Sequence, residues 1–140
     1  MNMTAITMEK TVRRVFDEMW NQQKAALADE LFSAKTLIHF SYDQAANLQE
    51  FKEALLQWFH AFPDLMHSID DLIVSEDKVV ARWHGQGTHK AEFSGIPATG
   101  SPVFYSGITI FRLDTNHQIT EAWVYSDLNE MIIQMQQGQK

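Results

Sequence analysis

At 140 residues, 45% of them hydrophobic and 21% charged, the chain has the size and composition of one ordinary globular domain with a sizeable core. Its net charge of −7 argues against nucleic acid or an anionic membrane as partner, and the absence of cysteine excludes disulfides, a thiolate nucleophile and a cysteine metal cage. No apolar run reaches the roughly 18 residues of a transmembrane helix, and the opening residues lack the basic-then-apolar pattern of a signal peptide, so the expected location is the cytoplasm.

Val12, Val15, Phe16, Met19 and Trp20 recur at helical spacing, with Arg13, Arg14, Asp17 and Glu18 opposite, which predicts an amphipathic helix from about Met8 to Gln22. The polar Asn21-Gln22-Gln23 ends it. A short second helix is predicted from about Ala25 to Phe32, then a short strand at Leu37–Phe40. A third helix runs from about Leu48 to Phe62 on a stripe of Leu48, Phe51, Leu55, Trp58, Phe59 and Phe62, and Pro63 stops it.

After Pro63 the period changes. Met66–Ser75 and Val79–His84, joined by Glu76-Asp77-Lys78, predict a hairpin whose second strand can extend to Thr88 or His89. Gly85 and Gly87 within that strand suggest a bulge or sharp curvature. Ser94–Pro102 reads as a loop, Val103–Leu113 and Gln118–Ser126 as long strands, and Leu128–Gln136 as a closing helix before a polar tail. Helices followed by an antiparallel meander imply an α+β fold in which a curved sheet closes over the helices and leaves a pocket between the layers. No linker or repeat interrupts the chain, so residues 1–140 are expected to form one unit.

Ile119 to Asp127 is the stretch with the most chemistry in it. Alternation along a strand puts Glu121, Trp123, Tyr125 and Asp127 on one face, and that face is expected to meet the pocket. Asp127 also precedes the helical run Leu128, Met131, Ile132, Met135, so it reads equally as a helix N-cap. Trp123, Tyr125 and the helix-three aromatics Trp58, Phe59 and Phe62 can desolvate a carboxylate and receive a flat polycyclic ligand, or can simply be core. Trp20 and Trp83 join the expected ligand-binding aromatics, although parity leaves open which of Arg82 and Trp83 faces inward. Tyr105 is a candidate hydrogen-bond donor to an oxyanion, or packing.

Six histidines occur, none at metal-ligand spacing, so no metal is expected. His39, inside an apolar strand, reads either as a cavity donor or as a core residue bonded to backbone. His89, beside a glycine-rich loop, reads mainly as a brace for Ser94–Gly100, while His60, His67 and His117 are expected at the surface. No phosphate-cradling loop or dinucleotide fingerprint appears, and no cofactor is expected.

The segment Gly87-Thr88-His89-Lys90-Ala91-Glu92-Phe93-Ser94-Gly95-Ile96-Pro97-Ala98-Thr99-Gly100 resembles a signature of the SnoaL-like polyketide cyclases, of the nuclear transport factor 2-like superfamily. Ala61-Phe62-Pro63-Asp64, Gly107-Ile108-Thr109-Ile110-Phe111-Arg112 and Ile119-Thr120-Glu121-Ala122-Trp123 agree in order and spacing, and the likeness spans about Val12 to Gln136. Ala91 stands where the family has glycine after its Thr-His pair, and the closing helix reads Gln134-Met135-Gln136 where the family often ends Gln-Leu-Gly. The resemblance implies a cone-shaped α+β fold and a cofactor-free intramolecular aldol closure of a polyketide ester. It further implies a strand-end Asp as general acid/base with a His nearby. The matching residue is Asp127, with His39 or His89 as its assistant. The expected partners are a small hydrophobic molecule and a second copy of the chain. A module that binds such a ligand without turnover, or that serves only for dimerisation, is the alternative.

Overall fold

The computed structural model describes residues 3–41 and 44–139; the first two residues, 42–43 and the tail's last residue lie outside that description. Helix α1 (Met3–Arg14) continues into a π-helical stretch, Val15–Trp20, in which Asn21 N–H reaches back five residues to the Phe16 carbonyl. Such wide turns alter which side chains share a face. Here the stretch supplies Val15, Phe16 and Trp20 to the interior. A 3-10 turn, Ala25–Leu27, leads into α2 (Ala28–Leu31), and the predicted short strand is the longer β1 (Phe32–Ser41). Strand β2 (Gln44–Ala46), which hydrophobic patterning did not reveal, folds back on it.

Helix α3 (Leu48–Ala61) starts at a capping box: Asn47 Oδ1 accepts from Glu50 N–H, and Glu50 Oε1 accepts from Asn47 N–H. Strands β3 (Met66–Ser75), β4 (Lys78–Thr88), β5 (Pro102–Leu113) and β6 (Ile119–Ser126) form the expected antiparallel meander, and α4 (Leu128–Gln137) closes the chain. The curved six-stranded sheet runs β2-β1-β6-β5-β4-β3, with β1 pairing parallel to β6, so the sheet is mixed at that one seam. No helix among the described residues is long and apolar enough to cross a membrane.

The bulges lie elsewhere than the glycines suggested. Between β3 and β4 the register slips at Asp70, and between β5 and β6 it slips at Thr120, since Leu113 pairs with Ile119 but Arg112 with Glu121. Gly85 and Gly87 pair regularly with Tyr105 and Val103. They provide room instead: a Cβ on Gly85 would lie 2.7 Å from Tyr105 Cζ, and one on Gly87 would lie 3.3 Å from Phe62 Cβ.

The Thr120 bulge also decides which side of β6 faces in. Ile119 is buried, but the extra residue inverts the alternation after it. Ala122, Val124 and Ser126 therefore face the helices, while Glu121, Trp123 and Tyr125 face outward, the reverse of the expected placement. Trp83 faces in and Arg82 out.

Candidate functional site

Between the helices and the concave side of the sheet lies a cavity of about 370 Å³. Its walls are mostly aromatic and aliphatic: Phe16 and Trp20 from the π-helical stretch, Trp58 from α3, Phe93 from the 89–101 loop, and Trp83 and Phe111 from the sheet. Ser126 and Leu128 form part of its lining where β6 passes into α4. Among the described lining residues the titratable side chains are His67 and Tyr105, and none is a carboxylate.

These two residues form the polar centre. His67 on β3 faces Gly85 across the β3–β4 ladder, and Gly85 in turn faces Tyr105 on β5. Because the residue between them has no side chain, His67 Nε2 and Tyr105 Oη come within 2.7 Å of each other. Both are 5% exposed. The rings of Phe16, Trp20, Trp83 and Tyr105 enclose the imidazole at centroid distances of 6.3, 4.7, 5.4 and 5.5 Å. Burial in that box, with a smaller contribution from the charge on His84, pushes the His67 pKa down to about 3, so the ring is neutral at pH 7. Burial alone raises the Tyr105 phenol.

Asn21, just past the π-helical stretch, fixes the His67 backbone from both sides: its Oδ1 accepts from His67 N–H at 2.7 Å and its Nδ2 donates to the His67 carbonyl at 2.8 Å. Trp83 is oriented by its indole N–H, which donates to Thr109 Oγ1 at 3.0 Å. The expectation that His67 is a surface residue is thus corrected. Its neighbours Met66 and Ser68 are exposed, and alternation turns His67 inward between them. Of the other two, His60 is exposed and His117 half-exposed.

The three residues expected to carry catalysis do not converge. Asp127 occupies the N-cap position of α4 but makes no side-chain cap. Its Oδ1 accepts from Ser106 N–H at 2.7 Å and its Oδ2 from Ser106 Oγ at 3.2 Å, and it lines a shallow outer groove with Asp70, Arg82 and Tyr125. His39 is on the outer face as well, where Nε2 meets Glu121 Oε2 at 2.7 Å and the ring stacks on Trp123. Arg112 completes this outer cluster, bonded to Glu121 at 2.9 Å and lying 5.2 Å from the Trp123 ring centroid. His89 is fully buried, stacked on Phe62, with Nδ1 bonded to Thr99 Oγ1 at 2.9 Å across the loop it was expected to brace.

Of the aromatics expected to meet a ligand, Trp20, Trp83 and Tyr105 line the cavity. Phe59 packs behind Trp20, and Phe62 packs against Trp58 and Phe93, one layer back from the cavity. Trp123 and Tyr125, the latter 62% exposed, are on the far side of the sheet. Among the described residues no three His, Asp or Glu side chains gather as metal ligands do.

The family model described as SnoaL-like polyketide cyclase matches residues 10–135. No curated protein matches the chain in sequence. Among solved structures, a candidate SnoaL-like polyketide cyclase from Jannaschia superposes with a TM-score of 0.88 at 24% identity, over 96% of this chain and 95% of that one. AclR, a candidate hydroxylase from Streptomyces galilaeus, gives 0.86 at 19% identity, over 95% and 98%. IdmH, a candidate polyketide cyclase from Streptomyces antibioticus, gives 0.79 at 23% identity, over 92% and 98%. At such identities these likenesses concern the fold, and the fold carries more than one named activity.

Proposed function

This chain belongs to the SnoaL-like polyketide cyclase family, and from that premise we propose that it is a cofactor-independent cyclase- or isomerase-type enzyme whose cavity takes a small hydrophobic carbonyl compound. The observation that carries the reading is the cavity wall: mostly aromatic and aliphatic, with one hydrogen-bonded pair of buried titratable side chains, His67 and Tyr105. Apolar walls reward burial of a ring skeleton at about 25 cal/mol per Å², and a few polar groups among them fix its orientation.

In an intramolecular aldol closure a base takes a proton from the carbon beside a carbonyl, and the electron pair moves onto the carbonyl oxygen. The resulting enolate carbon attacks a second carbonyl of the same molecule, and the proton returns to the new alkoxide. No atom is gained or lost, so no co-reactant is needed. In this account Asp127 is the base. Support comes from its position between two cavity-lining residues, Ser126 and Leu128, and from the fact that α4 does not engage its carboxylate. To reach a ligand the carboxylate has to leave Ser106 and turn across the rim. A second reading, binding without turnover, is favoured by the lack of any carboxylate among the described lining residues.

Exchange of the α-protons of 2-tetralone in D2O, followed by NMR, separates the two. The enzyme reading expects exchange faster than in buffer and restored to the buffer rate by Asp127→Asn. Saturable binding with exchange at the buffer rate in the wild type means a binding module. Fast exchange that survives Asp127→Asn removes Asp127 from the chemistry.

A further inference from the structure

One hydrogen lies between His67 Nε2 and Tyr105 Oη, and it can come from either side. A neutral imidazole carries a single N–H. If Tyr105 donates, that N–H is on Nδ1, which is buried and has no partner. A buried orphan N–H is among the least tolerated groups in a folded protein, more so than a bare lone pair. If Nε2–H donates, Nδ1 is left with a lone pair only, and the Tyr105 hydroxyl hydrogen is free. Each arrangement leaves one donor unmet, but the second moves it from the sealed Nδ1 to the hydroxyl of Tyr105, which lines the cavity, where a ligand can accept it. A doubly protonated ring, which would satisfy neither nitrogen better, is opposed by burial.

The arrangement has a consequence for the cavity. Tyr105 lines it, and His67 is the one hydrogen-bond partner of its hydroxyl among the described residues. The rings of Trp58 and Trp83 packed against Tyr105 offer the free O–H no acceptor. We infer that Tyr105 Oη–H is the donor for an acceptor oxygen on the ligand, a ketone or ester carbonyl or the enolate formed from it, with His67 as the positioning residue that holds and polarises the hydroxyl. This deepens the cavity reading above and rests on it. Accepting a hydrogen bond from Nε2–H strengthens the hydroxyl as a donor, since bonded chains polarise one another. The donor is also held in place before any ligand arrives. Asn21 clamps the His67 backbone, and Gly85 leaves the space in which the two side chains meet.

The test compares 2-tetralone with tetralin, which share a bicyclic skeleton and differ by the carbonyl, titrated against wild type and Tyr105→Phe by quenching of tryptophan fluorescence. Tyr105→Phe keeps the ring and loses one hydrogen bond, worth about a tenfold change in affinity. The expected result is 2-tetralone weakened about tenfold and tetralin within about twofold of wild type. The infrared carbonyl stretch of bound 2-tetralone should fall below its position in hexane for the wild type and return toward it in Tyr105→Phe. A purely structural tyrosine would not move that band. Equal weakening of both ligands, or no change in either, overturns the assignment of Tyr105 while leaving the cavity as a binding site. If neither compound binds the wild type, the cavity reading fails, and the donor assignment falls with it.

Discussion

Gly85 is the position where a single added carbon should do the most damage. A Cβ built there meets Tyr105 Cζ at 2.7 Å and both His67 Cδ2 and Tyr105 Oη at 2.9 Å, about 0.7 Å short of ordinary contact at the closest point. Phe16 and Trp20 pack on His67 and Trp58 and Trp83 on Tyr105, so relief requires the two rings to leave these contacts and shift toward the cavity. Overpacking of this kind costs about 1–3 kcal/mol, and losing the His67–Tyr105 bond adds about 1 kcal/mol. Gly85→Ala should therefore destabilise the protein by about 2–4 kcal/mol, a large share of a typical 5–15 kcal/mol. At about 2–4 °C per kcal/mol the melting temperature falls by roughly 5–15 °C. Gly87→Ala is the control: its Cβ meets Phe62, Leu65 and Asp64 at 3.3, 3.4 and 3.5 Å, close to normal contact, and alanine suits a strand better than glycine. Circular dichroism melts and urea titrations of the two variants decide. Equal stability of Gly85→Ala and Gly87→Ala would refute the argument that the missing side chain at 85 builds the polar centre.

Further outcomes follow from the same contacts. Folded His67 refuses a proton that the unfolded chain accepts below about pH 6.5, because burial holds its pKa near 3. Its contribution is complete above pH 6.5 and is lost as pH falls toward 3, at up to about 1.4 kcal/mol per pH unit. Urea stability measured from about pH 6 to 4 should fall less steeply in His67→Gln than in wild type, and identical slopes would contradict the buried neutral ring. Asn21→Ala removes two hydrogen bonds to the His67 backbone and should cost about 1–3 kcal/mol of stability, read as a lowered urea midpoint, where an unchanged midpoint would count against the clamp. Thr99→Val removes the partner of His89 Nδ1, and amide exchange of Phe93 and Ile96, which bond each other in the same loop, should quicken about fivefold. Unaltered exchange there would show that the loop does not depend on that bond.

How much of this was legible in the sequence depends on the residue. Helical spacing located α1, α3 and α4, and Pro63 and the Glu76-Asp77-Lys78 turn marked real boundaries. The faces of β6 were harder, because alternation defines two faces without saying which is inside. Large aromatics at 123 and 125 suggested the interior. On the concave side the small Ala122 lies opposite the large Phe111, so size alone does not mark the inner face. Glu121 was the available signal, since a charge on the Trp123 face argues for solvent, and it is there that Arg112 and His39 meet it. The bulges at Asp70 and Thr120 leave no mark in composition, so parity counted through them fails. His67 was missed because Met66 and Ser68 gave it polar or exposed company, and its burial depends on the long-range pairing with Gly85. The cue that could have found it is a glycine in an otherwise β-forming strand, which often means that another group comes close.

The tryptophan indoles offer the most direct test of the cavity as the ligand site. Trp20, Trp58 and Trp83 line it, whereas Trp123 stacks on His39 across the sheet. In a 15N-labelled sample titrated with 2-tetralone, the indole N–H signals of Trp20, Trp58 and Trp83 should shift saturably while that of Trp123 stays in place. Shifts confined to Trp123, or none at saturating ligand, would contradict the account.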